Sequence, residues 1–318
     1  MHELARMSDR SGLHRFTDRF SYAGALLVAL ALVASACGRE SSSAERLFAA
    51  DAGSVAAEQV SAEDYDRSLF AEDSAVVDNP WFPLVPGSRY VWKGTAFDEG
   101  ERIERKVVFV VTDLTKVIDG VTTVVGWDRD YDDRSLRESE LVFFAQDVDG
   151  NVWHLGELVE LWEERRVFEG AHTWFVDSPA GARAGIQMLA RPMVGARYSQ
   201  GFAPPPLFWD DRARVSAVDV RTCVPVGCFD GSIITEEFEP RFRGAVQLKY
   251  YAPGIGNVRI GWAGDDPERE TMVLTKHHLL GPQALDRVRD AALAIEERAY
   301  AYAETQPATK RTDQVPVP

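Results

Sequence analysis

The sequence predicts an all-β protein: a mainly antiparallel curved sheet, a barrel or half-barrel, with one C-terminal amphipathic helix. Three observations predict it. From Asn79 onward, Trp, Phe and Tyr are frequent and β-branched runs alternate with Gly/Asp turns. Those runs recur at about 10–20 residue spacing with no helical segment between them, which favours a sheet curling on itself over a βαβ fold. Helical periodicity, with apolar residues in steps of three and four, is clear in a single place near the C-terminus.

The chain has 318 residues, enough for one or two domains with a sizeable core. It carries 35 Lys and Arg against 50 Asp and Glu, a formal net charge of -15. That is the reverse of a nucleic-acid binder's basic footprint, and polybasic attraction to anionic lipid is disfavoured too. The 3 cysteines exclude a disulfide-dense miniprotein and a four-cysteine zinc site.

Residues 1–36 are an address. A polar stretch with Arg6, Arg10, Arg15 and Arg19 precedes an almost uncharged run, Phe20 to Ala36, which ends in Ala34-Ser35-Ala36-Cys37-Gly38. A basic n-region, a short apolar h-region and small residues before the cut describe a secretory signal peptide. Cysteine directly after the small residues resembles the bacterial lipobox, which implies diacylglycerol on the Cys37 thiol and a mature chain beginning there. Met7 is an alternative start. A membrane span is the competing reading, and the run is at its short limit. Removing four Arg and three acids leaves the mature chain at formal −16. Two acyl chains anchor stably without any basic surface.

Residues 37–78, rich in Ala, Ser, Glu and Asp, read as a tether. A helix packed on the domain is the alternative. The β-rich domain is expected over 79–278. Its strongest β-signal is Lys106-Val107-Val108-Phe109-Val110-Val111-Thr112, and Asp119-Gly120 marks a hairpin. Asp132-Asp133-Arg134-Ser135 and Asp147-Val148-Asp149-Gly150 mark the next turns. Glu160 to Val167 is ambiguous, and Ala190 to Gly201 reads as loop. Further strands are expected at 214–221, 229–238, 245–251, 257–262 and 270–277.

Gly281-Pro282 opens the helix, which with its lead-in spans 279–304. Its stripe is Leu285, Val288, Ala292, Ile295, Ala299 and Tyr302, with Arg287, Arg289, Asp290, Glu296 and Glu297 off it. The stripe is expected to cover the mouth or outer face of the sheet. Residues 305–318, with three prolines, read as a disordered tail.

The stretch Asn79-Pro80-Trp81-Phe82-Pro83-Leu84-Val85-Pro86-Gly87 resembles the start of a domain found in an uncharacterised group of β-rich bacterial exported lipoproteins. Asp147-Val148-Asp149-Gly150-Asn151-Val152-Trp153, Val224-Pro225-Val226-Gly227-Cys228-Phe229 and Tyr250-Tyr251-Ala252-Pro253-Gly254-Ile255-Gly256 extend the resemblance over roughly 79–262. It implies architecture and compartment, with no activity or catalytic residue attached. Cys228 stands where the group has a small residue.

Candidate sites are few. Cys223 and Cys228 bracket a Pro-Gly turn, and export into an oxidising compartment favours a disulfide over a metal or redox pair. Asp147-x-Asp149-Gly150-Asn151 looks like half a calcium loop, but Leu158 occupies position 12, so a plain turn is preferred. Asp128, Asp130 and Asp132 alternate and share one strand face; a solvated edge is preferred to a cation site. His277 and His278 are adjacent, and His154 and His172 are isolated, a poor basis for a metal site. No G-x-S-x-G elbow is present, and Gly254-x-Gly256 lacks the rest of a dinucleotide site. No cofactor is expected. Among the eight tryptophans, Trp153, Trp174 and Trp209, with Tyr251, are the candidate lining of an apolar pocket, against the alternative that they are core.

The leading functional expectation is a non-catalytic lipoprotein, held to the membrane by its lipid, that binds an apolar ligand or an envelope component. A structural or protein-interaction module is the alternative. A hydrolase using Asp/Glu is the third, and it would be marked by carboxylates converging in a cleft, one with a raised pKa.

Overall fold

The computed structural model describes residues 59–60, 65–163, 165–169, 173–205 and 207–302. The signal peptide, Cys37, His172 and the 305–318 tail lie outside them. The strands in chain order are β1 (Gln59–Val60), β2 (Ser88–Asp98), β3 (Glu101–Ile118), β4 (Val121–Asp132), β5 (Ser135–Gln146), β6 (Val152–Glu163), β7 (Arg166–Glu169), β8 (Trp174–Phe175), β9 (Arg183–Met188) and β10 (Arg197–Ala203). They continue with β11 (Trp209–Val224), β12 (Gly227–Phe238), β13 (Ala245–Ala252), β14 (Gly256–Gly264) and β15 (Thr271–Leu279), and α1 (Pro282–Tyr302) follows.

The sheet closes. Strands β2 to β6 form one antiparallel meander and β10 to β15 another. β15 pairs with β2 on one side. On the other, β9 bridges β6 and β10. The result is a twelve-stranded barrel, which removes the exposed edges that an open sheet would present. The β3–β4 turn places Asp119 and Gly120 at φ 48° and 81°, the primed hairpin geometry that Asp-Gly favours.

Alternation along each strand separates an inner from an outer face. Outside, α1 lies across β3, β5 and β6. Ala292, Ile295 and Ala299 pack there with Leu114, Ile118, Leu141, Phe143, Leu155 and Leu158. Glu296, placed off the stripe from sequence, is instead buried. It meets Lys116 of β3, Nζ to Oε1 2.7 Å, at a side chain with 0% exposure. Arg298 likewise reaches the buried Glu160 of β6.

One end of the barrel is plugged. Ala75, Val77 and Leu84 enter the inner core with Tyr90, Trp92, Val124, Val142, Phe144, Tyr251 and Leu274. Asn79 is buried and donates from Nδ2 to the carbonyls of Gly150 (3.0 Å) and Leu189 (3.1 Å). Gly254 N–H donates to Pro80 O at 2.7 Å, and Trp81 Nε1 donates to Gly231 O at 3.3 Å. Val224, Val226 and Phe229 pack against the same core. The four segments that carry the lipoprotein resemblance therefore meet at this end.

Two expectations change, and the expected disulfide is present. Packing begins well before residue 79: Tyr65 and Phe70 meet Trp153 edge-to-face with centroids 5.8 and 6.2 Å apart, so residues 65–78 pack on the domain where a tether was expected. The stretch 190–201, read as loop, contains the start of β10. The two hairpin cysteines are bonded, with Cα atoms 4.0 Å apart. This is closer than the usual range for a disulfide, because Cys223 and Cys228 are direct cross-strand partners.

Candidate acidic site inside the barrel

The end opposite the plug is lined by carboxyls. Asp128 and Asp130 on β4 are the Cα partners of Glu140 and Glu138 on β5. On β6, Val159 and Leu161 are the partners of Glu140 and Glu138, which puts Glu157 on the same inward face two residues along. Asp211 of β11, Glu237 of β12 and Lys249 of β13 complete the ring. The attraction between Asp128 on β4 and Lys249 on β13, across the barrel, agrees with that inward direction. The sequence-based expectation of a solvated edge for Asp128, Asp130 and Asp132 is thus overturned. β4 is paired on both sides, and its acids point into the lumen.

These groups are enclosed by the wall yet Asp128, Asp130, Glu140, Glu157, Asp211 and Lys249 keep part of their surface exposed, as groups lining a water-reached interior do. Bases are scarce. Arg105 of β3 holds Asp132, Glu268 and Glu270 at 3.1, 3.2 and 3.2 Å. Lys249 Nζ is 2.7 Å from Glu237 Oε2. Among the described residues, Asp128, Asp130, Glu138, Glu140, Glu157 and Asp211 make no ion pair with Lys or Arg.

Burial among like charges pushes these acids toward their neutral forms. Desolvation raises Asp128 to about 6, Asp211 to about 7, and Glu138 and Glu157 each to about 8, with carboxylate neighbours adding to it. Asp130 and Glu140 rise well above the ordinary range for the same reasons. Burial works to lower Lys249, but the Glu237 carboxylate outweighs it and the net shift is upward.

Between the acidic half and the plugged half lies an aromatic layer. Trp174 and Trp209 are 4.8 Å apart by ring centroid. His154 packs against both, at 5.1 and 5.8 Å, and against Phe144 at 5.2 Å. Desolvation lowers His154 to about 4, so it is neutral at pH 7, with Nε2 3.0 Å from Gly156 O.

Of the proposed pocket residues, Trp174, Trp209 and Tyr251 face the interior. Trp153 does not: it is on the outer face beneath Tyr65 and Phe70, and its Nε1 donates to Asp147 Oδ2 at 2.8 Å. Tyr251 belongs to the plugged core but reaches back, its hydroxyl donating to Glu237 Oε1 at 3.1 Å. The Asp147 carboxylate is taken up by its own turn, accepting from Asp149 N, Asn151 N and Asn151 Nδ2 as well, which leaves it no calcium role. His277 stacks on Tyr90 inside at 4.4 Å, while the strand turns His278 outward. Glu138, Glu140, Glu157, Asp211 and Glu237 were missed from sequence. Their signal was acidic residues alternating within predicted strands.

No protein-family model matches the chain, and no curated protein matches it. Two solved structures resemble it. One is a protein regarded as exported, with a YmcC-like fold, from Bacteroides fragilis: TM-score 0.34, 13% identity, covering 63% of this chain and 99% of that one. The other is a protein regarded as a lipoprotein from Parabacteroides distasonis: TM-score 0.35, 11% identity, with the same coverage.

Proposed function

We propose that the chain is a non-catalytic binding protein of the cell envelope, held to the membrane by lipid on Cys37, whose ligand site is the acidic half of the barrel. The observation that carries this is the set of six inward carboxyls without a basic partner, on strands whose other half is filled by the protein's own side chains. An evolved interior with no ligand to meet would be apolar, since each buried acid costs stability. The apolar ligand expected from the tryptophans has no support here, because Trp153 faces outward and the plug occupies the apolar half.

Native mass spectrometry of the protein released from its own envelope tests the proposal. The expected species begins at Cys37, carries diacylglycerol mass, and holds an additional small molecule. A Glu140→Gln variant should lose that molecule and keep the lipid. An intact chain with neither lipid nor ligand overturns the reading.

A specific observation favours a second reading. Asp128 at about 6 and Glu138 at about 8 are split as a base and an acid would be. Turnover of a glycoside or ester abolished by Glu138→Gln would establish hydrolysis in place of binding.

A further inference from the structure

We infer that the acidic interior binds an organic polyamine, a linear cation with several ammonium groups, and this rests on the proposed binding function. Among the described residues none of the six carboxyls makes an ion pair with Lys or Arg. Of the cations that act on them from a distance, Arg105 and Lys249 are already held by Asp132, Glu268, Glu270 and Glu237. The six are spread out, not convergent. Asp128 with Glu140 and Asp130 with Glu138 form successive rungs, two residues or about 7 Å apart along the strand. Glu157 stands on the third strand, β6, and Asp211 stands on β11, beyond β9 and β10. Among the described residues, no three His, Cys, Asp or Glu side chains come close enough to hold one metal ion. An extended ligand with separated positive centres matches that spacing where a single ion does not.

Two buried polar atoms point the same way. The Tyr198 hydroxyl, on a side chain 3% exposed, has no hydrogen-bond partner, and it lies in the field of Glu237. It can accept a hydrogen bond from an ammonium group. The Trp174 indole N–H, on a side chain 1% exposed, closes no hydrogen bond of ordinary geometry, but it faces Glu157 and favours its ionised form. It is a donor in place for a carboxylate that has yet to ionise. The faces of Trp174 and Trp209 border the same acids, and aromatic faces attract ammonium groups.

Binding is coupled to proton release. Without ligand, Glu138 and Glu157, at about 8, carry protons at pH 7, and burial pushes Asp130 and Glu140 the same way. An ammonium group beside each favours the carboxylate, so protons leave as the ligand enters. Affinity therefore rises with pH between about 6 and 8.

Titration calorimetry of the intact chain with spermidine, at pH 7 in two buffers of different ionisation enthalpy, tests this. One-to-one saturable binding with proton release is expected. The Asp128→Asn/Glu140→Gln variant should bind at least tenfold more weakly. The Glu140 amide stands in for a carboxyl that burial already pushes toward its neutral form, and the Asp128 amide removes a charge from beside it, so its circular dichroism should match wild type. Equal binding by the variant would mean only surface attraction to an acidic protein, and would overturn the inference. Maltotriose serves as a neutral probe in parallel. Maltotriose binding without spermidine binding overturns the polyamine while leaving the interior site in place. Binding of neither removes both.

Discussion

Asp128 and Glu140 sit directly opposite each other on neighbouring strands, with both carboxyls turned into the barrel. One step along, Asp130 and Glu138 repeat the arrangement. Like charges directly across a ladder repel, and here no lysine or arginine lies between them. The pairs persist in the folded state because protonation removes the repulsion. The cost of building this wall thus appears as a pH dependence of stability.

Stability should fall as pH rises. An unfolded carboxyl titrates near 4, while Asp211 is held at about 7 and Glu138 and Glu157 at about 8 in the fold. Between those values the native state binds more protons than the unfolded state, so the slope of unfolding free energy with pH is negative. Stabilisation is full below about pH 4 and lost as pH passes through about 8. Urea midpoints at unit steps from pH 5 to 9 would show the decline. Glu138→Gln and Glu157→Gln should flatten it and be more stable than wild type at pH 9. A midpoint that is constant or climbs over this range would contradict the protonated wall.

The Cys223–Cys228 bond closes a short loop, so its chain-entropy contribution is only about 2 kcal/mol. The flanking β11–β12 pairing runs from Arg212↔Phe238 to Val224↔Gly227 and does not depend on it. A Cys223→Ser/Cys228→Ser protein should fold, with a urea-derived loss near that size. Failure to fold would assign the bond a larger part.

Asn79 anchors the plug. Its amide donates to two carbonyls from distant segments, and its Oδ1 accepts from Trp81 N at 3.0 Å. Asn79→Ala leaves those groups buried and unpaired, at a cost of ~1–3 kcal/mol. Asn79→Asp should be worse at pH 7, since a carboxylate would face two carbonyl oxygens, and should recover in acid. Equal stability of Asn79→Asp and wild type at pH 7 would show that the plug is held by apolar packing alone.

The β3–β6 meander was readable because each element agreed with its neighbours: β-branched runs joined by Asp-Gly and Asp-Arg turns. The inward face was harder. Period-two alternation shows that Asp128 and Asp130 share a side, but which side requires knowing that the sheet closes. Closure depends on β9, a six-residue strand with a weak pattern, pairing both β6 and β10. Trp153 was misplaced for a related reason. Adjacent residues on a strand point oppositely, so only one of Trp153 and His154 can face inward, and a bulge opposite Phe143 and Phe144 decides the phase for the residues beyond. The buried Glu296 was hidden by its charge, since its partner Lys116 lies 180 residues away.

That partner makes the last prediction. Lys116 has a fully buried side chain, with Nζ 2.7 Å from Glu296 Oε1 and 3.1 Å from Tyr300 Oη, between α1 and β3. Removing Glu296 as alanine leaves an ammonium group in an apolar seam beside Phe143 and Phe175, whose ring centroids are both 5.9 Å away. Breaking a buried pair in this way costs ~3–5 kcal/mol. Lys116→Met alone takes the ammonium group from the buried Glu296, which keeps the Tyr300 hydroxyl at 3.2 Å, and should also be harmful. The double variant Lys116→Met/Glu296→Leu buries no charge and fills similar volume, so it should regain most of the loss. Urea denaturation of the three proteins separates the contributions. If both single variants unfold with wild-type midpoints, the pair does not hold α1 against the barrel, and the Ala292, Ile295 and Ala299 stripe does so by itself.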